Sequence, residues 1–183
     1  MQGISMLRLL NLTILSSLFF LSSYKISYAE MSSLGVLEGD SVSMAFGVSG
    51  DGSVIVGVSS SFATYRAFKY DSTNGMTSLG VLTDASVSWA TGVSGDGSVI
   101  VGYSNGGSVI EGEGGSFRGN RAFKYDSTNG MTSLGVLTGG SESEANDVSG
   151  DGSVIVGYSG STDGTRAFKY DSTNGMTSLG VLT

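Results

Sequence analysis

The sequence has 183 residues, a formal net charge of −7 at pH 7, and no histidine, cysteine or proline. Without histidine and cysteine the chain lacks the commonest general base, the commonest transition-metal ligand and any thiolate for a disulfide or zinc framework. An acidic chain repels phosphate backbones, so we expect no nucleic-acid partner, and no residue pattern indicates a cofactor. Its 30 glycines must supply the turns.

Residues 1–29 are typical of a secretory signal peptide. Arg8 provides a positive start, Leu9–Leu21 is an apolar run, and Ser27-Tyr28-Ala29 supplies small residues before a cleavage point. A membrane-spanning helix needs about 20 apolar residues, and this run is shorter and interrupted by polar side chains, which disfavours an uncleaved anchor. We therefore predict a signal peptide at 1–29 and a secreted or cell-surface address.

From Met31 onward the chain repeats itself, and internal repetition indicates a repeat architecture. RAFKYDSTNGMTSLGVLT occurs unchanged at Arg66–Thr83, Arg121–Thr138 and Arg166–Thr183, and VSGDGSVIVG also occurs three times. We divide the predicted β-repeat domain, 30–183, into units 31–75, 76–130 and 131–175 and a closing strand at 176–183. Periods of this length are typical of propeller repeats.

Each unit is predicted to contain four short strands, which in the middle unit are Leu79–Leu82, Val87–Val93, Ser98–Tyr103 and Arg121–Tyr125. The Asp-Gly of SGDGS and the Asn-Gly of DSTNG lie between such runs and are hairpin signals. Val99-Ile100-Val101 is apolar on both faces of its strand, which indicates burial between stacked sheets.

The predicted fold class is all-β, with tandem four-stranded antiparallel units stacked as β-propeller-like blades; a β-helix or solenoid is the alternative. Propellers close with about 4–8 blades, and the sequence supplies three units and an extra strand near Met31. An incomplete ring leaves two apolar blade faces. We therefore expect either a homo-oligomer or a piece of a longer repeat protein without activity of its own.

The motifs in order, VSGDGSVIVG, then RAFKY, then GMTSLGVL, resemble the extracellular HAF repeat family over residues 31–183. The family's triplet begins with histidine, which Arg66, Arg121 and Arg166 replace, so no role of that histidine carries over. The resemblance implies a β-propeller-like fold, an autotransporter-passenger-like surface protein of Gram-negative bacteria, and no established catalytic activity. It favours a non-catalytic adhesion or binding scaffold whose surface ligand, protein or glycan, is unknown.

Two sets of aspartates lie in repeated turns, and weak Ca²⁺ binding is their functional interpretation. Hairpin geometry is the favoured interpretation, because each turn offers a single carboxylate. No catalytic, metal or cofactor-binding residue is assigned. The aspartates are Asp51, Asp96 and Asp151 in the SGDGS turns and Asp71, Asp126 and Asp171 in the DSTNG turns.

The insertion Ser104–Asn120 in the middle unit is either a contact loop or a disordered glycine-rich segment. Its possible contact residues are Glu111, Glu113, Phe117 and Arg118. A glycoside hydrolase using Glu111 or Glu113 is the enzyme alternative, which the near-identity of the units disfavours because a catalytic site must break the symmetry.

Aromatic residues recur near the strand ends. Tyr65, Tyr103 and Tyr158 form either a stripe for sugar stacking or part of the core, and core is the commoner role. Trp89 corresponds to Met44 and Glu144 in the other units, so the sequence leaves open whether it packs or binds.

Overall fold

The computed structural model describes residues 30–62, 64–105 and 119–182. The chain divides into two units, residues 1–33 and 34–183. Of the first, only residues 30–33 are described, and they form no helix or strand. The predicted signal peptide lies outside the described residues. Within the described ranges, no helix is long and apolar enough to cross a membrane.

The second unit contains every strand of the described chain, and within each sheet consecutive strands pair antiparallel. The strands are β1 Val42–Val48, β2 Val54–Ser60, β3 Tyr65–Asp71, β4 Gly75–Gly80, β5 Val87–Val93, β6 Ile100–Asn105, β7 Arg121–Asp126, β8 Gly130–Gly135, β9 Ser143–Val148, β10 Ile155–Ser159, β11 Arg166–Asp171 and β12 Gly175–Ser178.

They form three four-stranded sheets, β1–β4 (sheet 1), β5–β8 (sheet 2) and β9–β12 (sheet 3). Each sheet is a meander in which every strand pairs with the next one along the chain. This arrangement confirms the predicted all-β class with four-stranded antiparallel units. It also excludes the β-helix alternative, whose coils pair parallel strands.

The sheets are out of phase with the sequence units by one strand. The MTSLG segment that opens the middle unit forms β4 and completes sheet 1. The DSTNG turn is the cause, because Asp71 pairs with Gly75 across a tight hairpin that the positive φ of Gly75 (67°) closes. Residues 31–37, predicted as an extra strand, form none, since the described chain offers them no preceding hairpin partner.

Two apolar layers lie between the sheets. Val56, Ile100 and Phe123 pack between sheets 1 and 2, and Val101 and Phe168 pack between sheets 2 and 3, each at most 1% exposed. Ile100 and Val101 are adjacent in β6 and belong to opposite layers, which confirms the predicted burial on both faces. Full burial of such a side chain contributes roughly 1.5–3 kcal/mol, so sheet 2 is stabilised from both sides.

Backbone hydrogen bonds connect the sheets at the SGDGS turns. Gly50, Gly95 and Gly150 occupy the same turn position in sheets 1, 2 and 3, and we call this series the glycine ladder. The N–H of Gly50 donates to the carbonyl of Gly95 at 2.9 Å, and the N–H of Gly95 donates to that of Gly150 at 2.8 Å. A Cβ added at Gly95 would lie 2.9 Å from the Gly150 carbonyl oxygen, so glycine permits this approach.

Buried serines form a second set of links. Ser88 of β5 accepts a hydrogen bond from the N–H of Ala67 at 2.9 Å and donates one to the carbonyl of Gly80 at 2.7 Å, both in sheet 1. Ser143 of β9 makes the same two bonds to sheet 2. Both serines are fully buried, so each interface between sheets contains a specific polar contact within its apolar layer.

Candidate binding surfaces

The aspartates of the SGDGS turns bind groups of their own turns. Oδ1 of Asp51 accepts hydrogen bonds from the hydroxyl of Ser49 (2.7 Å) and from the N–H and hydroxyl of Ser53 (2.9 and 2.8 Å). These bonds, the Ser53 N–H first, lower the pKa of Asp51 to about 2. The pKa values of Asp96 and Asp151 are also lowered to about 2, chiefly by the hydroxyl of the serine two residues earlier.

The aspartates of the DSTNG turns are similarly engaged. Oδ1 of Asp71 accepts the N–H groups of Thr73 (3.0 Å) and Asn74 (2.8 Å), and Oδ2 lies 3.5 Å from Nζ of Lys69. The Asn74 side chain is the largest cause of the lowered pKa of Asp71. In the described part of the chain, no three His, Cys, Asp or Glu side chains group as metal ligands. The bonds within the turns support the hairpin interpretation of these carboxylates.

An aromatic stack connects sheet 1 to sheet 2. The ring of Trp89 lies between those of Tyr65 and Tyr103, with centroid separations of 4.9 and 5.1 Å and interplanar angles of 24° and 19°. Tyr65 is 41% exposed, so the stack reaches the surface. Tyr158 lies instead beside Glu144, and burial followed by the hydrogen bond with Glu144 raises its pKa. Trp89 is thus a packing residue between two of the three predicted tyrosines.

The insertion is described only at its two ends. Asn105 donates from Nδ2 to Oδ1 of Asn120 at 2.7 Å, and Nδ2 of Asn120 donates to the carboxylate of Glu144. These bonds hold the base of the insertion beside β9. The candidate contact residues, on which the hydrolase alternative also rests, lie outside the described residues: Glu111, Glu113, Phe117 and Arg118.

The outward face of sheet 1 exposes positions that the other sheets bury. Val48 is 59% exposed, whereas its counterparts Val93 and Val148 are each 8% exposed. Ala45 is exposed as well, although the matching alanines of β5 and β9 are fully buried. We call this surface, defined by Ala45 and Val48, the leading face.

The outward face of sheet 3 shows the same difference. Val156 is 40% exposed, and its counterpart Val101 is fully buried. Leu179, which follows β12, is 62% exposed, and its counterpart Leu134 is 8% exposed. We call this surface, defined by Val156 and Leu179, the trailing face. The two ends of the stack are therefore apolar surfaces of the kind that its interior buries.

Each repeat has an arginine at the position where the HAF repeat family, which the sequence resembles, has histidine. Arg66 of β3 forms an ion pair of 3.0 Å with Asp40, whose side chain is 1% exposed. Burial raises the pKa of Asp40, but the hydrogen bonds from Arg66 and Ser59 and the Arg66 charge outweigh it, so the pKa is lowered. The sequence reasoning missed this pair, although Asp40 differs from the Ala85 and Gly140 of the other units and so offered a signal.

Known proteins share the fold rather than the sequence. No family model matches the sequence, and no curated protein matches it. Among solved structures, TolB from Acinetobacter baumannii superposes with a TM-score of 0.53 at 19% identity, covering 81% of this chain and 35% of that chain. The putative TolB from Agrobacterium tumefaciens superposes with a TM-score of 0.58 at 15% identity, covering 80% of this chain and 50% of that one.

The three sheets are propeller-like blades. At such low identities the likeness shows the fold alone. The chain spans 35% and 50% of the lengths of these two structures. Membership of the HAF repeat family stays a prediction.

Proposed function

We propose that this chain is a non-catalytic β-propeller-type scaffold that acts by binding, exported and either secreted or displayed at the cell surface. The observation that carries the proposal is the pair of end faces. Val48 and Val156 are exposed at positions that the interior of the stack buries. Blades whose faces stay in water are incomplete, and other surfaces complete them.

A second copy of the chain fits these ends. In the glycine ladder each N–H donates to the carbonyl of the next sheet, which leaves the N–H of Gly150 and the carbonyl of Gly50 without a hydrogen bond to any residue that the structure describes. Sheet 1 of another copy, placed on the trailing face, would repeat the interior contact. Such a head-to-tail contact forms a closed ring if the rotation that relates one copy to the next returns to the first copy. Two arcs would supply about six blades, within the usual range of about 4–8.

One side chain weakens this contact. Asp147 of β9 stands where sheets 1 and 2 have Gly47 and Gly92. A Cβ added at Gly92 would lie 3.1 Å from Cα of Asp147, so the interior sheets approach closely at this point. A further sheet on the trailing face would meet the Asp147 side chain. We therefore expect copies of the chain to associate less tightly than the three sheets within it.

The association is tested by the solution mass of residues 30–183 from light scattering over a concentration series. We expect a dimer that dissociates in the variants Val48→Lys and Val156→Lys, since each puts a charge on one end face. Mixing the two variants should restore association, because each retains the face that the other has lost. Ser72→Lys, in an exposed turn, is the matched control and should behave as the parent chain.

A parent chain that stays monomeric throughout the series would contradict association between copies. Further blades in a longer polypeptide would then be the remaining way to cover the end faces, and the chain would be a fragment of such a repeat protein. Activity on a glycoside that disappears in Glu111→Gln or Glu113→Gln would instead support the hydrolase alternative.

The proposed address has support of its own. The apolar N-terminal run and the small residues before Glu30 are the layout of a signal peptide, and the resemblance to the HAF repeats implies a surface protein of the autotransporter-passenger kind. Fractionation of expressing cells, with the mass of the recovered protein, tests it. We expect an exported chain beginning at Glu30, and an unprocessed cytoplasmic chain would contradict the proposal.

A further inference from the structure

In sheet 1 an internal carboxylate fills a niche beside Arg66. Oδ2 of Asp40 lies 3.0 Å from Nη2 and 3.3 Å from Nε of Arg66. The hydroxyl of Ser59 is one of the groups that lower the pKa of this carboxylate. We call this arrangement the carboxylate niche, defined by Arg66, Ser59 and Asp40. A guanidinium fork with a hydroxyl group is a strong combination for binding a carboxylate.

Sheet 2 repeats the niche without its carboxylate. The turn that carries Asp40 has the same backbone in both sheets, because its N–H donates to the leucine carbonyl three residues earlier, at 2.9 Å in sheet 1 and 3.0 Å in sheet 2. The Cβ of Ala85 thus occupies the same position as the Cβ of Asp40, but Ala85 has no carboxylate. The counterparts of Arg66, Ser59 and Asp40 are, in that order, Arg121, Ser104 and Ala85.

The guanidinium of Arg121 is held with its carboxylate-binding atoms unused. Its Nη1 donates to backbone carbonyls, including that of Asn120 at 3.1 Å. Its Nε and Nη2 are the atoms that face Asp40 in the case of Arg66, and they make no hydrogen bond with any residue in the described ranges. Arg121 is therefore anchored on one edge, and its other edge is available for a carboxylate.

The hydroxyl of the niche serine makes a shorter hydrogen bond in sheet 2, which lacks the carboxylate, than in sheet 1. Where Asp40 is present, the hydroxyl of Ser59 lies 3.4 Å from the carbonyl of Val42. In sheet 2 the hydroxyl of Ser104 donates to the carbonyl of Val87 at 2.9 Å. Ser104 thus has a bond to the neighbouring strand β5 that it can give up for a ligand.

These groups line a cavity of about 430 Å³ in sheet 2. Its wall includes Arg121, Ala85 and Asp84, and the other side chains that line it include Thr83, Ser104, Ser133 and Met131. In sheet 3 the corresponding position is closed, since a Cβ on Gly140 would lie 2.0 Å from the carbonyl oxygen of Gly160. The three sheets therefore contain one filled niche, one open niche and one closed niche.

We propose that the open niche of sheet 2 binds the carboxylate of a sugar acid, with Nε and Nη2 of Arg121 donating to the carboxylate that Asp40 supplies in sheet 1. Three hydroxyl side chains line the same cavity and can bond to sugar hydroxyls, Ser104 after it releases its bond to the carbonyl of Val87. Met131 offers an apolar surface to the sugar ring. The volume lies within the range of small-molecule sites, about 300–1,000 Å³.

Charge favours a monocarboxylate over a phosphate or sulfate ester. Asp84 also lines the cavity and has an interaction of its own. One carboxylate matches the single cationic side chain, Arg121, that lines the cavity among the described residues, whereas a dianion would bring a second negative charge that no lining cation matches. This inference gives a ligand class to the proposed binding scaffold and rests on that proposed function. The site itself lies within one sheet, so ligand binding does not require a second copy of the chain.

The test is a titration of the purified protein with galacturonate, followed by calorimetry or by chemical shifts, with galactose as the neutral control and N-acetylglutamate amide as an acidic non-sugar. We expect saturable binding of galacturonate and none of galactose. Arg121→Gln should weaken binding about tenfold or more, whereas the matched control Arg166→Gln should leave it unchanged.

Two further variants exchange the residues that distinguish the filled niche of sheet 1 from the open niche of sheet 2. Ala85→Asp supplies sheet 2 with the internal carboxylate of sheet 1 and should abolish galacturonate binding while the thermal unfolding transition stays cooperative. Asp40→Ala removes the internal carboxylate from Arg66 and should add a second, weaker galacturonate site in sheet 1, because Nη2 of Arg66 also donates to the carbonyl of Glu38.

Several results would overturn the proposal: no saturable galacturonate binding, equal binding of galactose, or binding that survives Ala85→Asp. Equal affinity for N-acetylglutamate amide would show a carboxylate site that does not select sugars, which contradicts the sugar-acid assignment. Light scattering of Ala85→Asp keeps this failure separate from that of the proposed association, because the substitution lies away from both end faces.

Discussion

Replacing Gly95 with alanine should destabilise the protein far more than the same replacement at Gly150. The two glycines occupy identical turns, and neither has a positive φ, so alanine is conformationally allowed at both. A Cβ at Gly95 would lie 2.9 Å from the carbonyl oxygen of Gly150, whereas a Cβ at Gly150 has no atom within 4 Å. The pair therefore isolates the effect of contact between sheets.

The size of the difference follows from two terms. Forcing a methyl group against a backbone carbonyl costs about 1–3 kcal/mol, and moving the turns apart weakens a hydrogen bond worth about 0.5–1.5 kcal/mol. The loss of glycine entropy in the unfolded chain stabilises both variants by about 0.4–1 kcal/mol and cancels in the comparison. The free energies of unfolding should thus differ by about 1.5–4.5 kcal/mol.

Thermal unfolding followed by circular dichroism at low protein concentration measures this difference without a contribution from association. For a domain of this size about 2–4 °C corresponds to each kcal/mol, so the melting temperatures should differ by roughly 3–18 °C. Equal melting temperatures, or a lower one for Gly150→Ala, would refute the stacking of turn on turn. At high concentration Gly150→Ala should also impair association, because its methyl group would meet the Gly50 carbonyl of the next copy.

Three further predictions concern the same interfaces and turns. Ser88→Ala should lower the free energy of unfolding by about 1–3 kcal/mol, because it leaves the buried N–H of Ala67 without an acceptor; Ser43→Ala, at the half-buried counterpart, should cost clearly less in the same denaturant titration. The folded-state pKa of Asp51, about 2, lies below its usual 3.8, so the stability it contributes is present above about pH 4 and is lost as the pH falls toward about 2. Denaturant midpoints measured over that range should fall, and less steeply in Asp51→Asn. Asp147→Gly should strengthen association in light scattering, because it restores the glycine of the interior interfaces; unchanged or weaker association would contradict the proposed contact.

Local features of the fold were predictable from local sequence. The predicted strand Val87–Val93 agrees with β5 residue for residue, because β-branched residues between two turn signals define a strand within a few positions. The grouping of strands into sheets was not predictable in the same way. A repeat has no natural starting point, and only the hairpin at Asp71–Gly75 decides that MTSLG joins the sheet before it.

The candidate binding groups were harder to predict than the strands. The hairpin interpretation of the turn aspartates could be reached from the sequence, because their hydrogen-bond partners lie within three positions along the chain. The carboxylate niche joins Asp40 to Arg66, which are 26 positions apart. The identical RAFKY segments did not distinguish the arginines, and the difference lies instead at the position that holds Asp40 in sheet 1 and Ala85 in sheet 2.

The sequence by itself determined most strands of the described chain, its hairpins and the repetition of a four-stranded unit, since those depend on residues a few positions apart. Only the tertiary structure decided which copy of each residue is buried. Val48 and Val93 have the same neighbours along the chain, yet they are 59% and 8% exposed. The physical reason is that burial depends on the sheet that packs against a residue, and the first sheet has none on its outward face among the residues described.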